Sequence, residues 1–169
     1  GQHWAAAHAK ESDDAAQLCE DYADHGADIL LLRLDRKTFI IWLKDALSSA
    51  RKLSLRRAES THLGNLGILH RMIGDLDASK MYLQEALQIA DEIEDRENEA
   101  KWVGNLSNVY LHANDSQQAI VSYEQAILLT QKLGDAWNEG IWLSGLGNAY
   151  AKLSKHTQAI EIYILALNK

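Results

Sequence analysis

Seven histidines, one cysteine and two runs of carboxylates are the side chains of this 169-residue sequence that could carry chemistry. A metal site needs several ligands at a spacing that brings them to one point. His3 and His8 stand five residues apart and His62 and His70 eight apart, and no His-Glu-x-x-His pattern occurs. His70 falls instead on an aromatic column of the pattern described below and reads as a packed imidazole. Cys19 has no second cysteine to pair with, and its nearest histidine, His25, lies six residues on, so it reads as a small core residue. The carboxylates gather at Asp13, Asp14, Glu20, Asp21, Asp24 and Asp28, and again at Asp91, Glu92, Glu94, Asp95 and Glu97. General acid–base work would need an apolar setting that raises one pKa. Their polar neighbours make both runs solvated faces. A phosphate-cradling Gly-x-x-x-x-Gly-Lys-Ser/Thr loop is absent from the sequence. The expectation is a chain with no catalytic residue, no metal and no cofactor, and not an enzyme.

The elements that hold these residues are read from composition and period. The sequence contains no proline, where roughly eight would be usual for its length. Proline is the residue least compatible with helix interiors, and no stretch alternates β-branched residues between turn dipeptides. The chain therefore reads as all-α. One cysteine excludes a disulfide framework, no apolar run is long enough to span a bilayer, and the start lacks the charged-then-apolar order of a secretion signal. A cytoplasmic location is expected, with no membrane partner. A formal net charge of −7 argues against nucleic acid, although Arg51, Lys52, Arg56 and Arg57 form a short basic patch.

An offset of 40 residues brings three segments into register without a gap. Leu66, Leu106 and Leu146 align, then Gly67, Ser107 and Gly147, then His70, Tyr110 and Tyr150. Further along come Ser79, Ala119 and Ala159, then Leu83, Tyr123 and Tyr163, then Ala86, Ala126 and Ala166, while Glu59, Glu99 and Glu139 recur near each start. Each unit splits into two amphipathic segments around a short polar break, such as Asn114-Asp115-Ser116. Gly74-Asp75 and Gly134-Asp135 supply a left-handed stop and a capping restart. Each unit is thus a helical hairpin, and its small columns let the two backbones approach where they cross.

The segments Leu63-Gly64-Asn65-Leu66-Gly67, Val103-Gly104-Asn105-Leu106-Ser107 and Leu143-Ser144-Gly145-Leu146-Gly147-Asn148-Ala149-Tyr150 resemble the first helix of tetratricopeptide repeats. Gln118-Ala119-Ile120 with Tyr123-Glu124-Gln125-Ala126-Ile127 resembles the second. The unit is longer than the common one of about 34 residues. In this it resembles the repeats of kinesin light chains, nephrocystin-like proteins and bacterial STAND-type signalling ATPases. The resemblance implies a right-handed superhelical solenoid of antiparallel helical hairpins. Residues 56–169 hold three repeats, at about 56–95, 96–135 and 136–169, and residues 1–55 hold N-terminal helices with a degenerate hairpin. Its second helix is placed at 36–53 and its first within Asp13 to Arg33, with Leu30 where an aromatic residue should stand and Phe39 where a small one should. Trp4 to Lys10 reads as a short extra helix. Gly1 and the stop at Lys169 read as the limits of a piece of a larger protein.

The tetratricopeptide pattern implies a concave groove lined by first-helix residues between the packing columns. The candidates for partner binding are Asn65, Ile68, Arg71, Met72, Lys101, Asn105, Asn108, His112, Asn148 and Lys152, flanked by Gly104, Ile141, Ser144 and Ala151. Asparagine offers donor and acceptor together, which suits an extended peptide backbone. The alternative is that these asparagines cap or bridge helices within the stack. Arg71, Lys101 and Lys152 would meet a ligand carboxylate, or else are solvated cations. Trp102 and Trp142 read as packing between repeats, and Trp137 as the exposed tryptophan. The function expected is a non-catalytic module binding a protein or peptide, as the sensor or scaffold of a STAND-type protein. The alternatives are a receptor domain of a bacterial regulator, holding a small molecule near Trp102, Met72 and Trp142 or a signalling peptide, and self-assembly as a homodimer through exposed terminal helices at Ile160, Tyr163, Ile164 and Leu167.

Overall fold

The structure, a computed structural model, describes residues 2–19 and 36–169. Among these residues every regular element is a helix: α1 Gln2–His8, α2 at 13–19, α3 Arg36–Lys52, α4 Arg56–Met72, α5 Leu76–Glu92, α6 Arg96–His112, α7 Ser116–Leu133, α8 Ala136–Lys152 and α9 His156–Leu167. The 40-residue period is present in the helix bounds themselves, since α3, α5 and α7 begin at 36, 76 and 116 and α4, α6 and α8 at 56, 96 and 136. The remainder of the expected helix within 13–33, with Leu30 and the carboxylates from Glu20 to Asp28, lies outside the described residues.

The turns are alike although their residues are not. Ser54, Gly74, Glu94, Asn114, Gly134 and Ser154, spaced 20 apart, all carry a left-handed φ between 56° and 85°. The following N–H reaches back five residues in every case, from Leu55 to Ala50 at 2.9 Å through Asp135 to Thr130 at 3.0 Å and Lys155 to Tyr150 at 3.0 Å. This is the Schellman closure of a helix C-terminus. The next helix then starts on a carboxylate cap: Asp75, Asp95, Asp115 and Asp135 accept from the backbone N–H of Ala78, Asn98, Gln118 and Asn138 at 3.0–3.2 Å. Leu55 and Lys155 occupy the same position without a side-chain cap.

The chain divides into two compact units, residues Gly1–Ile89 and Ala90–Lys169. In the first, α4 and α5 meet at the small columns, where the Ser79 hydroxyl donates to the Gly67 carbonyl at 2.7 Å and a Cβ on Gly67 would stand 2.6 Å from Leu83 Cγ. The Ser60 hydroxyl donates to Ala86 O at 2.9 Å, and Leu43, Leu63, Leu66, Leu69 and Leu83 are buried around this crossing. Each such side chain contributes about 2 kcal/mol by leaving water. Arg51, Lys52 and Arg56 of the basic patch are held in ion pairs. Arg51 bonds Glu59 at 2.8 Å and also Glu85, Arg56 bonds Glu59 at 2.6 Å, and Lys52 bonds Asp13 at 2.8 Å and the Ala9 carbonyl at 3.0 Å.

In the second unit α6 and α7 form one hairpin and α8 and α9 another, and α8 packs on both α6 and α7. Its core holds Trp102, Val103, Leu106, Val109, Tyr123, Ala126, Trp142, Leu143, Leu146 and Ala149. Three glycines make room for rings: a Cβ would lie 2.3 Å from Trp142 at Gly104, 2.5 Å from Tyr123 at Gly145 and 2.4 Å from Tyr163 at Gly147. The recurring glutamates are paired in both units. Glu99 accepts from Arg96 at 2.6 Å, and Glu139 accepts from Lys169 at 2.8 Å and Gln131 at 2.7 Å. The Lys169 ammonium holds Glu139 below the ordinary carboxylate range despite its burial, and Gln131 adds to this.

Candidate binding face

Six of the ten candidate residues lie on two neighbouring helices of the second unit, Lys101, Asn105, Asn108 and His112 on α6 and Asn148 and Lys152 on α8. The other four are on α4, where Asn65, Ile68 and Arg71 are half-buried and Met72 is exposed. Helical spacing lays Trp137, Ile141, Ser144, Asn148 and Ala151-Lys152 along one stripe of α8, and every member of it is exposed or half-exposed. Between the C-terminal halves of α6 and α8 opens a cleft of about 570 Å³ lined by Leu111, His112, Asn148, Ala151 and Lys152.

The hydrogen bonds sort the candidates. Asn105 is buried and its amide donates to the Lys101 carbonyl of its own helix at 2.9 Å. Asn108 Oδ1 accepts from the Tyr123 hydroxyl at 2.6 Å, and Asn148 Oδ1 accepts from the Tyr163 hydroxyl at 2.7 Å. The carbonyl side of both asparagines is therefore spent bridging the two helices of a hairpin. On Asn148, which lines the cleft, the two amide N–H groups make no hydrogen bond among the described residues.

Lys152 is a clamp as well as a cation. Its ammonium donates to the Leu111 carbonyl at 2.8 Å and to Asn114 Oδ1 at 2.9 Å, tying the end of α8 to the end of α6 and leaving one N–H. His112 Nδ1 lies 2.8 Å from the Asn108 carbonyl. A carbonyl can only accept, so Nδ1 carries the proton and Nε2 is the open atom of the ring. Lys101 is exposed, 5.3 Å from the centroid of the buried Trp102 ring. The cleft is thus lined by the N–H donors of Asn148 and Lys152, the His112 Nε2 acceptor and apolar carbon, with no carboxylate among its residues.

Sequence reasoning took Gly104 for a groove residue, but the Trp142 ring covers it. Asn108 and Asn148 bridge helices, the alternative left open from the sequence, but their tyrosine partners were not named, although the 40-residue register carries the signal: where Asn108 and Asn148 pair with Tyr123 and Tyr163, the first repeat has Ile68 and Leu83. Both members of the pair change together. Trp102 and Trp142 are buried, Met72 is exposed, and Trp137 is 80% exposed. His70 is packed as expected, with its ring 5.2 Å from that of Tyr82 and Nδ1 3.2 Å from Asp75. Among the described residues no group of three His, Cys, Asp or Glu side chains could hold a metal ion, and no helix is long and apolar enough to cross a membrane.

A tetratricopeptide repeat family model matches residues 57–132, the span of α4 to α7. No curated protein matches the sequence. Among solved structures the chain is similar to BtubC (BKLC) from P. vanneervenii, at 18% identity and a TM-score of 0.79 over 99% of this chain and 69% of that one. It is similar to a STAND protein with a tetratricopeptide repeat sensor from Pyrococcus horikoshii, at 16% identity and a TM-score of 0.75 over 89% of this chain and 23% of that one. Kinesin light chain TPR-like repeats from Podosopora anserina match at 12% identity and a TM-score of 0.67 over 99% and 91% of the two chains. At these identities the likeness is one of fold. The hairpins have the fold of tetratricopeptide-like repeats.

Proposed function

We propose that these tetratricopeptide-like repeats form a non-catalytic interaction module whose α6–α8 face takes a peptide or a segment of a protein. Repeat folds of this type generally serve as protein-interaction scaffolds, and stacked hairpins present long concave surfaces. The observation that carries the reading is the cleft of about 570 Å³ lined by Leu111, His112, Asn148, Ala151 and Lys152, whose free N–H groups face no competing carboxylate. Such donors match the carbonyls of a peptide backbone. In a larger cytoplasmic protein of the STAND type the array would be the sensor that recognises a trigger, a role supported by the named sensor of the Pyrococcus horikoshii structure.

The test is selection of a random-peptide display library on the chain, followed by fluorescence polarisation with the enriched peptides. Ala151→Trp fills the cleft from a half-exposed position. Enriched peptides that lose about tenfold or more in affinity for this variant support the reading. No enrichment, or equal binding to the variant, overturns it.

A further inference from the structure

The second helices of the hairpins, α3, α5, α7 and α9, differ more in charge than in packing. α3 carries five lysines and arginines against one aspartate, whereas α5 carries four carboxylates against one lysine, α7 one charge of each sign and α9 a single glutamate. Positive charge is thus concentrated on one helix of a chain whose net charge is −7. Arg51 and Lys52, at its C-terminal end, are taken up by Glu59, Glu85 and Asp13. Arg36, Lys37 and Lys44 are exposed along the rest of it, and Arg36 and Lys44 make no ion pair among the described residues. The one carboxylate of α3, Asp45, is half-buried and already has a partner.

Helical spacing puts Lys37, Ile41, Lys44 and Ser48 on one stripe, with Ile41 55% exposed in its middle. The 40-residue register separates what recurs there from what does not. Met81 and Val121 repeat the exposed apolar residue of Ile41. The flanks change in kind: Lys37 and Lys44 stand in register with Asp77 and Gln84, then with Gln117 and Glu124, and Arg36 with Leu76 and Ser116. Hairpins of the same fold do without these cations, so packing does not require them. The geometry of the stripe selects a partner. An added strand needs a sheet edge, and every regular element among the described residues is a helix. A helix side seats a second helix, whose side chains fit between its own rows. From Lys37 to Lys44 is seven residues, about 10 Å along the axis. Residues i and i+7 of a second helix span the same distance, with i+3 and i+4 between them on the same face.

We propose that the solvent-facing side of α3 docks a helix of another protein, one that carries carboxylates at i and i+7 and a large aliphatic residue between them. Carboxylates set against Arg36, Lys37 and Lys44 select and orient this helix, and its aliphatic side chain covers Ile41. The site belongs to the first unit and does not depend on the α6–α8 reading.

The experiment uses the full chain and a fluorescein-labelled, alanine-based peptide of about 20 residues, long enough to hold a helix in water. The peptide carries Glu at i and i+7 and Leu at i+3 and i+4. Fluorescence polarisation is expected to show binding that weakens as salt is raised. Affinity is expected to fall about tenfold in the triple variant Arg36→Gln, Lys37→Gln, Lys44→Gln, and by less in Ile41→Ser. All four side chains are exposed, so circular dichroism and a melting temperature like the parent's control for folding. No binding by the parent, equal binding by the triple variant, or equal affinity for a peptide with Gln in place of each Glu overturns the site. Phosphatidylserine vesicles that bind the parent and not the triple variant, while the peptide stays free, overturn the occupant and assign the stripe to an anionic membrane surface. A peptide that ignores the triple variant and loses affinity on Ala151→Trp sits in the α6–α8 cleft, which overturns the α3 site and leaves that reading standing.

Discussion

Asn108 and Asn148 occupy the same column and make the same bond, yet they stand in different surroundings. Tyr123, the partner of Asn108, is fully buried, whereas Tyr163, the partner of Asn148, is half-exposed. Removing an acceptor from a buried hydroxyl costs its desolvation, about 1–3 kcal/mol, while water can replace one at a wet site. Asn108→Ala is therefore expected to destabilise the chain by about 2 kcal/mol and Asn148→Ala by well under 1 kcal/mol, read from urea or thermal unfolding. The first repeat supplies the control, since it has Ile68 and Leu83 at these places. Asn108→Ile with Tyr123→Leu should cost less than the sum of its single changes; strict additivity would show that the bond does not couple the helices. Asparagine on a first helix looked like a ligand-facing group because its neighbours along one helix say nothing of the tyrosine 15 residues later. Only the paired change across repeats tells a bridge from a contact residue, and Lys152 had no such signal: its carbonyl partner, Leu111, is defined by packing alone.

At the scale of elements, the six turns show how one backbone path accepts unequal residues. Gly74 and Gly134 take the left-handed position freely, and Asn114 tolerates it, but Ser54, Glu94 and Ser154 hold a Cβ where it crowds the next carbonyl, at a cost of about 1 kcal/mol each. Glu94→Gly and Ser154→Gly are expected to raise stability by about 0.5 kcal/mol after allowing for the freer unfolded chain, and Asn114→Gly to change it little. A lower melting temperature for Glu94→Gly would mean that its side chain makes a contact worth more than the strain. Gly-Asp and Asn-Asp were legible as turns, because their chemistry states the conformation. Ser54-Leu55 and Ser154-Lys155 were legible only by register, since neither pair asks for a left-handed residue or a cap. The caps also predict a response to acid. Hydrogen bonds from the side chain and backbone of Asn138 hold Asp135 below the ordinary carboxylate range. A lowered folded-state pKa gives stability that is full above the unfolded value, about 4, and is lost as pH falls through the folded one. Asp135→Ala should therefore cost about 1 kcal/mol at neutral pH, and the difference from the parent should vanish in strong acid. A gap that persists at the lowest pH would assign the loss to packing.

For the whole molecule, the 40-residue period was the most legible feature, because a hairpin that cannot bury its own face repeats the residues that cover it. It was least legible where a residue of one hairpin serves another: Gly104 reads as surface until Trp142, 38 residues on, is laid over it. That contact offers a test of how far a disturbance travels. A methyl at Gly104 would stand 2.3 Å from the buried Trp142 ring, and overpacking of this kind costs about 1–3 kcal/mol against a gain in helix propensity of about 1 kcal/mol. In an array whose stability is a sum of local and nearest-neighbour terms, the loss stays near its origin. Native-state amide exchange of Gly104→Ala is expected to quicken in α6 and α8, which share the contact, and to remain at parental rates in α3 and α4. Faster exchange in all four helices by the same factor would show one cooperative block, in which a partner seated on α6 and α8 would be felt throughout the chain.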